Sequence, residues 1–203
     1  MSKVIVTLLI LAVILGSVAV VVLYRAERSR SELPVLGQVG AFTMTDQYGR
    51  PFTDADMKGK LSVVEFFFTS CRGPCPIMNG YLAELYRAFD EAEQVQFVSC
   101  SVEPAVDAGA RLAEYAAQFG VDDQRWRFLT GPMETVVQVC EGYFMLPADD
   151  LPGNHSTRFA LVYRENGIRA YYSGTDAASV NVLRTHLKGM LEGLGAMVTE
   201  AEG

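Results

Sequence analysis

The sequence predicts an α/β sandwich with a mixed central sheet. Two apolar runs of strand length, residues 61–69 and 95–102, alternate with segments of helical periodicity at 78–92 and 105–119. A hairpin pattern and a final amphipathic segment follow near the end of the chain. Strands that alternate with helices pair in parallel, whereas a hairpin adds antiparallel neighbours. We therefore expect both kinds of pairing in one sheet.

Local patterns justify each element in turn. Residues 41–45 and 51–53 flank a polar turn and predict an early hairpin, and the nearly continuous hydrophobic run at 61–69 is typical of a strand buried on both faces. Pro132 suits the first position of a helix, and the Asn166–Gly167 pair is a strong turn signal. The later elements are a strand at 126–129, a helix at 132–144, a loop at 145–156, a hairpin of 158–163 with 168–172, and a helix at 177–197.

The N-terminus is apolar enough to cross a membrane. From Val4 to Tyr24 the chain has 21 residues without a charge, and about 20 suffice for one spanning helix. We expect residues 1–30 to be a membrane anchor with its flank, followed by a linker at 31–39 within a domain at 31–203. A cleaved signal peptide is the alternative, but signal peptides have shorter apolar regions. The arginines after the span would by themselves keep the domain in the cytoplasm.

Charge narrows the class of partner. From Ser31 onward the chain carries 13 Lys and Arg against 23 Asp and Glu, a balance of −10. Such an acidic domain is a poor candidate for binding nucleic acid or an anionic lipid surface, and it suits a basic protein partner or metal delivery. The roughly 170 residues fit one domain with a full core.

Two of the four cysteines form a close pair. Cys71 and Cys75 follow the buried strand directly and lie about one helical turn apart, so two thiols at the start of a helix would share one face. Such a pair can bind a soft metal ion or cycle between dithiol and disulfide. We expect Cys100 and Cys140, which lie in apolar segments, to be small buried hydrophobes.

One of the two histidines can complete a metal site. His155 ends a loop just before a predicted strand, and two thiolates with one imidazole suit Cu(I), or Cu(II) if a fourth oxygen approaches. Zinc also accepts this set, usually with a fourth ligand, which Asp149 or Asp150 could supply. We expect His186, in the last helix, to be a surface or boundary residue.

These motifs together resemble the Sco/SenC family of membrane-anchored copper proteins with a thioredoxin-like fold. The resemblance runs from about residue 40 to 174, on the segments 42–49, 66–76, 98–104 and 129–131 and on His155–Ser156. It implies that Cys71, Cys75 and His155 bind one copper ion. It also implies a role in assembling the dinuclear copper centre of cytochrome c oxidase. The partner would be the copper-bearing subunit of that enzyme or another copper protein. The anchored domain would then lie on the periplasmic, extracytoplasmic side or in a mitochondrial intermembrane space.

The sequence departs from the family pattern at two places. Asn154 precedes the histidine where relatives commonly have Asp, and Arg72 and Gly73 stand where an acidic residue is usual. We expect Arg72 and the helix N-terminus to lower the thiol pKa values. A second function stays open, a membrane-anchored thiol–disulfide oxidoreductase that reduces partner cysteines through Cys71 and Cys75.

Overall fold

The structure is a computed structural model that describes residue 5 and residues 10–18, 33–148 and 150–201, with side chains in the last helix up to residue 193. Residues Pro34–Leu191 form one compact unit. Residues 10–18 are helical. In the described part of the chain, no helix has both the length and the apolar character that crossing a membrane requires. Most of the predicted span from Val4 to Tyr24 lies outside the described residues.

Eight strands form one mixed sheet in the order β1-β8-β7-β4-β5-β6-β2-β3. The central strands β4, β5 and β6 are parallel, and the other pairs are antiparallel. The predicted α/β sandwich with a mixed sheet is thereby confirmed. The strands are β1 Gly37–Gln38, β2 Thr43–Asp46, β3 Pro51–Thr53, β4 Leu61–Phe67, β5 Val95–Ser101, β6 Trp126–Thr130, β7 Arg158–Tyr163 and β8 Gly167–Ser173.

Helices connect the strands and cover the sheet. They are α1 Pro74–Ala88, α2 Ala110–Ala117, α3 Met133–Val137 and α4 Ala177–Ala201, with a 3-10 turn at Asp54–Met57 and a π-helical turn at Gln138–Tyr143 directly after α3. Helix α1 begins four residues before the predicted start because Pro74 takes the first position, where its missing N–H costs nothing.

One predicted helix start is wrong for a physical reason, and the segment predicted as a linker includes a short strand. The helix predicted from residue 105 begins at Ala110, because Gly109 has φ +48°, outside the right-handed helical region, and the side chain of Asp107 accepts a hydrogen bond from Ser101 at the end of β5. The predicted linker at 31–39 contains β1, whose Gly37 pairs with Ile168 of β8.

The central strands β4 and β5 bury both of their faces, as their mainly apolar runs predict. On one face an aromatic cluster packs around Trp126, which stacks on Phe128 at 5.1 Å and contacts Phe97 at 5.9 Å between ring centroids. On the other face Phe66 packs edge-on against Phe144 at 5.5 Å. A central sheet fixed from both sides gives the loops at its carboxyl edge a rigid base.

Candidate metal centre

Cys71 and Cys75 follow the carboxyl end of β4, but they occupy different local structures. Cys71 lies in the loop before α1, where its N–H donates to the carbonyl of Phe68 (3.2 Å). Cys75 is the second residue of α1 and is fully buried. The expectation that both thiols share one face of a helix is therefore wrong, because Gly73 and Pro74 set the helix start after Cys71. One thiol is thus held by a helix and the other by a loop.

Antiparallel pairing brings His155 to the same place. Strand β7 runs antiparallel to β4, with Ala160 opposite Val64, so the beginning of β7 lies beside the end of β4. His155 stands three residues before β7 and is 8% exposed. Its ring packs edge-on against Phe68 at 5.3 Å between centroids. The sheet register thus brings His155 close to Cys75, although the two residues are 80 positions apart in the sequence.

The two thiols and the imidazole form one cluster. One sulfur or nitrogen atom from each of Cys71, Cys75 and His155 lies within 4.8 Å of the others, and Cys75 Sγ is 3.4 Å from His155 Nε2. His155 Nδ1 lies 3.1 Å from the carbonyl oxygen of Ser156, which can only accept, so Nδ1 carries the proton. Nε2 then presents its lone pair to the thiols, the arrangement typical of a metal-binding histidine.

Burial favours the neutral forms of His155 and Cys75. Desolvation lowers the pKa of His155, against backbone hydrogen bonds that favour its charged form. Desolvation, with the hydrogen bond that the neutral thiol donates to Cys71, raises the pKa of the Cys75 thiol. The expectation that Arg72 and the helix N-terminus lower the pKa of this thiol is therefore wrong, because Arg72 is exposed and burial dominates. A metal ion must displace the thiol proton of Cys75 when it binds.

The cluster has three members. Among the described residues, no other His, Cys, Asp or Glu joins Cys71, Cys75 and His155, and Asp150 lies outside the group. Asp149 lies outside the described residues. Asn154 is exposed, and its backbone N–H donates to the carbonyl of Asp150 (3.2 Å). The donor set is therefore the soft three-ligand set that the sequence suggested.

The remaining cysteines and histidine lie elsewhere. Cys100 and Cys140 are buried free thiols in the core face that holds Phe66, as predicted. Desolvation raises the pKa of Cys140 to about 12, so this thiol is inert at neutral pH. His186 is half-buried in α4, where its Nδ1 lies 2.6 Å from the hydroxyl of Tyr172.

Sequence reasoning missed the polar residues that support the Cys71 loop. Asp107 is fully buried and accepts hydrogen bonds from both the backbone N–H and the hydroxyl of Thr69. In the sequence Asp107 falls inside the predicted helix at 105–119, where an acidic residue reads as exposed. The nearby Gly109 was the available sign that this stretch is a loop, in which an aspartate side chain can accept hydrogen bonds from neighbouring segments.

A comparison with protein-family models matches residues 34–192 to the SCO1/SenC family. The chain belongs to the SCO1/SenC family. Among SCO1/SenC relatives, the SCO1 homolog of Bacillus subtilis is 29% identical over 149 residues, which are 70% of this chain and 77% of that protein. Three fungal relatives, two of them mitochondrial, are longer, and the chain covers 43 to 51% of their lengths.

Solved structures of the SCO1/SenC family share the fold. A SCO1/SenC lipoprotein from Bacillus anthracis is 31% identical with a TM-score of 0.70, and the match covers 76% of this chain and 95% of that one. Yeast Sco1 with copper bound is 27% identical with a TM-score of 0.60, and the match covers 76% and 90% of the two chains. The resemblance predicted from the motifs is thereby confirmed, including the thioredoxin-like fold of these relatives.

Proposed function

We propose that this protein is a copper metallochaperone that carries one copper ion on Cys71, Cys75 and His155. The observation that carries the proposal is the convergence of the three ligand atoms within 4.8 Å. Copper is the cargo in this function, so the site must both bind it and release it. Family membership and the copper-bound yeast Sco1 structure support the choice of metal.

The chemistry of the donor set fits copper. Thiolates are soft ligands that select Cu(I), and imidazole suits copper in both oxidation states. His155 Nδ1 is tied to a backbone carbonyl, so the ring is already turned with Nε2 toward the sulfurs. A structural zinc site would normally have four closed protein ligands, and the described residues supply three.

Burial holds the Cys75 thiol in its protonated form before copper arrives. Binding releases the proton of Cys75, so copper uptake is coupled to pH and requires that the Cys71–Cys75 disulfide is absent. The half-exposed Cys71 leaves one side of the ligand set open to solvent. A partner's copper-binding side chains can approach from this side and replace the ligands one at a time.

Copper titration of the reduced full chain in detergent tests the proposal. We expect one equivalent of copper to bind and Cu(II) to give a thiolate charge-transfer band. The triple replacement of Cys71→Ser, Cys75→Ser and His155→Ala should abolish both. His186→Ala and Cys140→Ala serve as matched controls, because these residues lie outside the cluster. Copper binding that survives the triple replacement would sink the proposal.

A second candidate is thiol–disulfide exchange, which the asymmetry of the two free thiols favours. The half-exposed Cys71 can attack a partner disulfide as a thiolate, and the buried Cys75 can then resolve the mixed disulfide. The partner gains two thiols and two electrons, and Cys71 and Cys75 become a disulfide. A His155→Ala variant that still reduces a disulfide substrate would favour this function, and an inactive wild-type protein would exclude it.

We further propose where the protein works and with what partner. The segment from Val4 to Tyr24 would anchor the domain on the extracytoplasmic side of a membrane, periplasmic or in the mitochondrial intermembrane space, and the recipient would be the copper-bearing subunit of cytochrome c oxidase. Fungal relatives named as mitochondrial and a relative named as a lipoprotein support this location. Protease accessibility of the domain in spheroplasts or mitoplasts, whose outer membrane is removed, tests it, because a domain on the inner side of the remaining membrane would be protected.

A further inference from the structure

Among the three proposed copper ligands, Cys71 is the least buried, and it lies in a loop. Cys75 is fixed by α1, and the His155 ring is fixed by Ser156 and Phe68. Cys71 sits at the end of a turn that begins at Phe68, and it is half-exposed. Something outside this loop must therefore set the position of its sulfur.

Thr69, two residues before Cys71, is the point where the loop is attached. Its backbone N–H donates to Asp107 Oδ2 (2.9 Å), and its hydroxyl donates to Asp107 Oδ1 (2.5 Å). A single carboxylate thus fixes both the backbone and the side chain of Thr69. This leaves the turn to Cys71 little rotational freedom.

Asp107 is itself anchored to the sheet. Its Oδ2 also accepts from the hydroxyl of Ser101 (2.7 Å), the last residue of β5. Arg111 Nε donates to the Thr69 hydroxyl (2.6 Å) and lies 3.6 Å from Asp107 Oδ1, so it offsets the buried negative charge. A carboxylate with no exposed surface needs such partners, because burying it without hydrogen bonds would destabilise the folded protein.

We propose that Asp107 is a positioning residue that, through Thr69, holds Cys71 in place for copper. This inference rests on the proposed copper site. Asp107 does not belong to the cluster of ligand atoms, so its effect must pass through the loop. Loss of an outer partner of this kind typically lowers metal affinity by about 10- to 100-fold.

The test compares Asp107→Asn with the matched control Asp46→Asn in the reduced full chain. An amide nitrogen cannot accept, so Asn at 107 leaves either the N–H or the hydroxyl side of the network without an acceptor. Asp46 is also a buried carboxylate that accepts two backbone N–H bonds and pairs with an arginine, Arg127, but it lies on β2, three strands from β4.

Copper affinity is measured by competition with a chelator of known affinity, and folding by urea unfolding. We expect Asp107→Asn to bind copper about 10- to 100-fold more weakly and to give a weaker Cu(II)–thiolate band. We expect Asp46→Asn to lose stability without losing copper affinity. Equal copper affinity in wild type and Asp107→Asn, or equal losses in the two variants, would overturn the inference.

Substitutions of Thr69 keep the test decisive if Asp107→Asn does not fold. Thr69→Val keeps the backbone N–H bond and the side-chain shape but removes the hydroxyl, and it should weaken copper binding by about 10-fold. Thr69→Ser keeps the hydroxyl and should bind copper with wild-type affinity. If Thr69→Val binds copper as tightly as the wild-type protein, the role of Asp107 is refuted but the proposed function is not. If the wild-type protein binds no copper, the proposed function is overturned as well.

Discussion

Glu65 makes the stability of this domain depend on pH, and Glu65→Gln should remove that dependence. Glu65 lies in the middle of β4 and is fully buried. Its Oε1 accepts from the hydroxyl of Ser99 (2.7 Å), which in turn accepts from the indole N–H of Trp126 (2.9 Å). Its Oε2 has no hydrogen-bond partner among the described residues. Desolvation raises the pKa of Glu65 to about 8, against the Ser99 hydrogen bond.

The sign and size of the effect follow from proton linkage. Between its ordinary pKa of 4.5 and about 8, the folded protein holds a proton on Glu65 that the unfolded chain has released. The contribution of Glu65 to the free energy of unfolding is therefore largest below pH 4.5, and it falls as pH rises through that window. The slope is about 1.4 kcal/mol per pH unit, which gives an upper limit of about 5 kcal/mol across the window.

Urea unfolding of the reduced, metal-free protein at pH 5, 7 and 9 measures this dependence. A glutamine cannot ionise, so we expect Glu65→Gln to gain stability relative to wild type at each step, by several kcal/mol between pH 5 and 9 in total. Glu93→Gln, at an exposed position, is the control and should follow wild type. Parallel pH profiles for wild type and Glu65→Gln would refute the reasoning.

Two substitutions test the packing of the core, and one labelling experiment tests the reactivity of the thiols. Gly174→Ala should cost about 1–3 kcal/mol in urea unfolding, because its Cβ would lie 2.9 Å from a backbone carbonyl oxygen and 3.1 Å from two core side chains. Phe66→Ala should cost about 3–5 kcal/mol in the same assay, because it empties the buried site beside Phe144. A thiol reagent should modify Cys71 first in the native protein, and Cys100 and Cys140 only in denaturant, as mass spectrometry of labelled peptides can show.

Much of the fold could be predicted because its strands are read directly from the sequence. The runs that form β4 and β5 are mainly apolar, and Asn166–Gly167 marks the late hairpin. The start of the helix predicted at 105–119 was wrong because helical periodicity does not register side chains that bond to loops. Asp107 accepts hydrogen bonds from Thr69 and Ser101 and does not lie on a helix surface. Strand β1 was missed because two residues carry no periodicity.

The candidate site was predictable in membership but not in geometry. Cys71, Cys75 and His155 could be named from the motif and the family resemblance, and the structure brings them together. The direction of the Cys75 pKa shift was not predictable, because it depends on how completely the core covers the sulfur. Local charges such as Arg72 are visible in sequence, whereas desolvation is a property of the packed fold.

The different supports of the two thiols bear on how a chaperone can bind copper and still release it. A site with every ligand on rigid structure would hold copper tightly and exchange it slowly. Here Cys75 and His155 are fixed by a helix, a carbonyl and an aromatic ring, while Cys71 lies in a loop that is attached through the contact of Thr69 with the buried Asp107. Weakening one contact frees one ligand without unfolding the other two. A loop-held thiol beside two rigid ligands therefore allows both retention of copper and its stepwise transfer, and this asymmetry is the physical argument for cargo over a permanent cofactor.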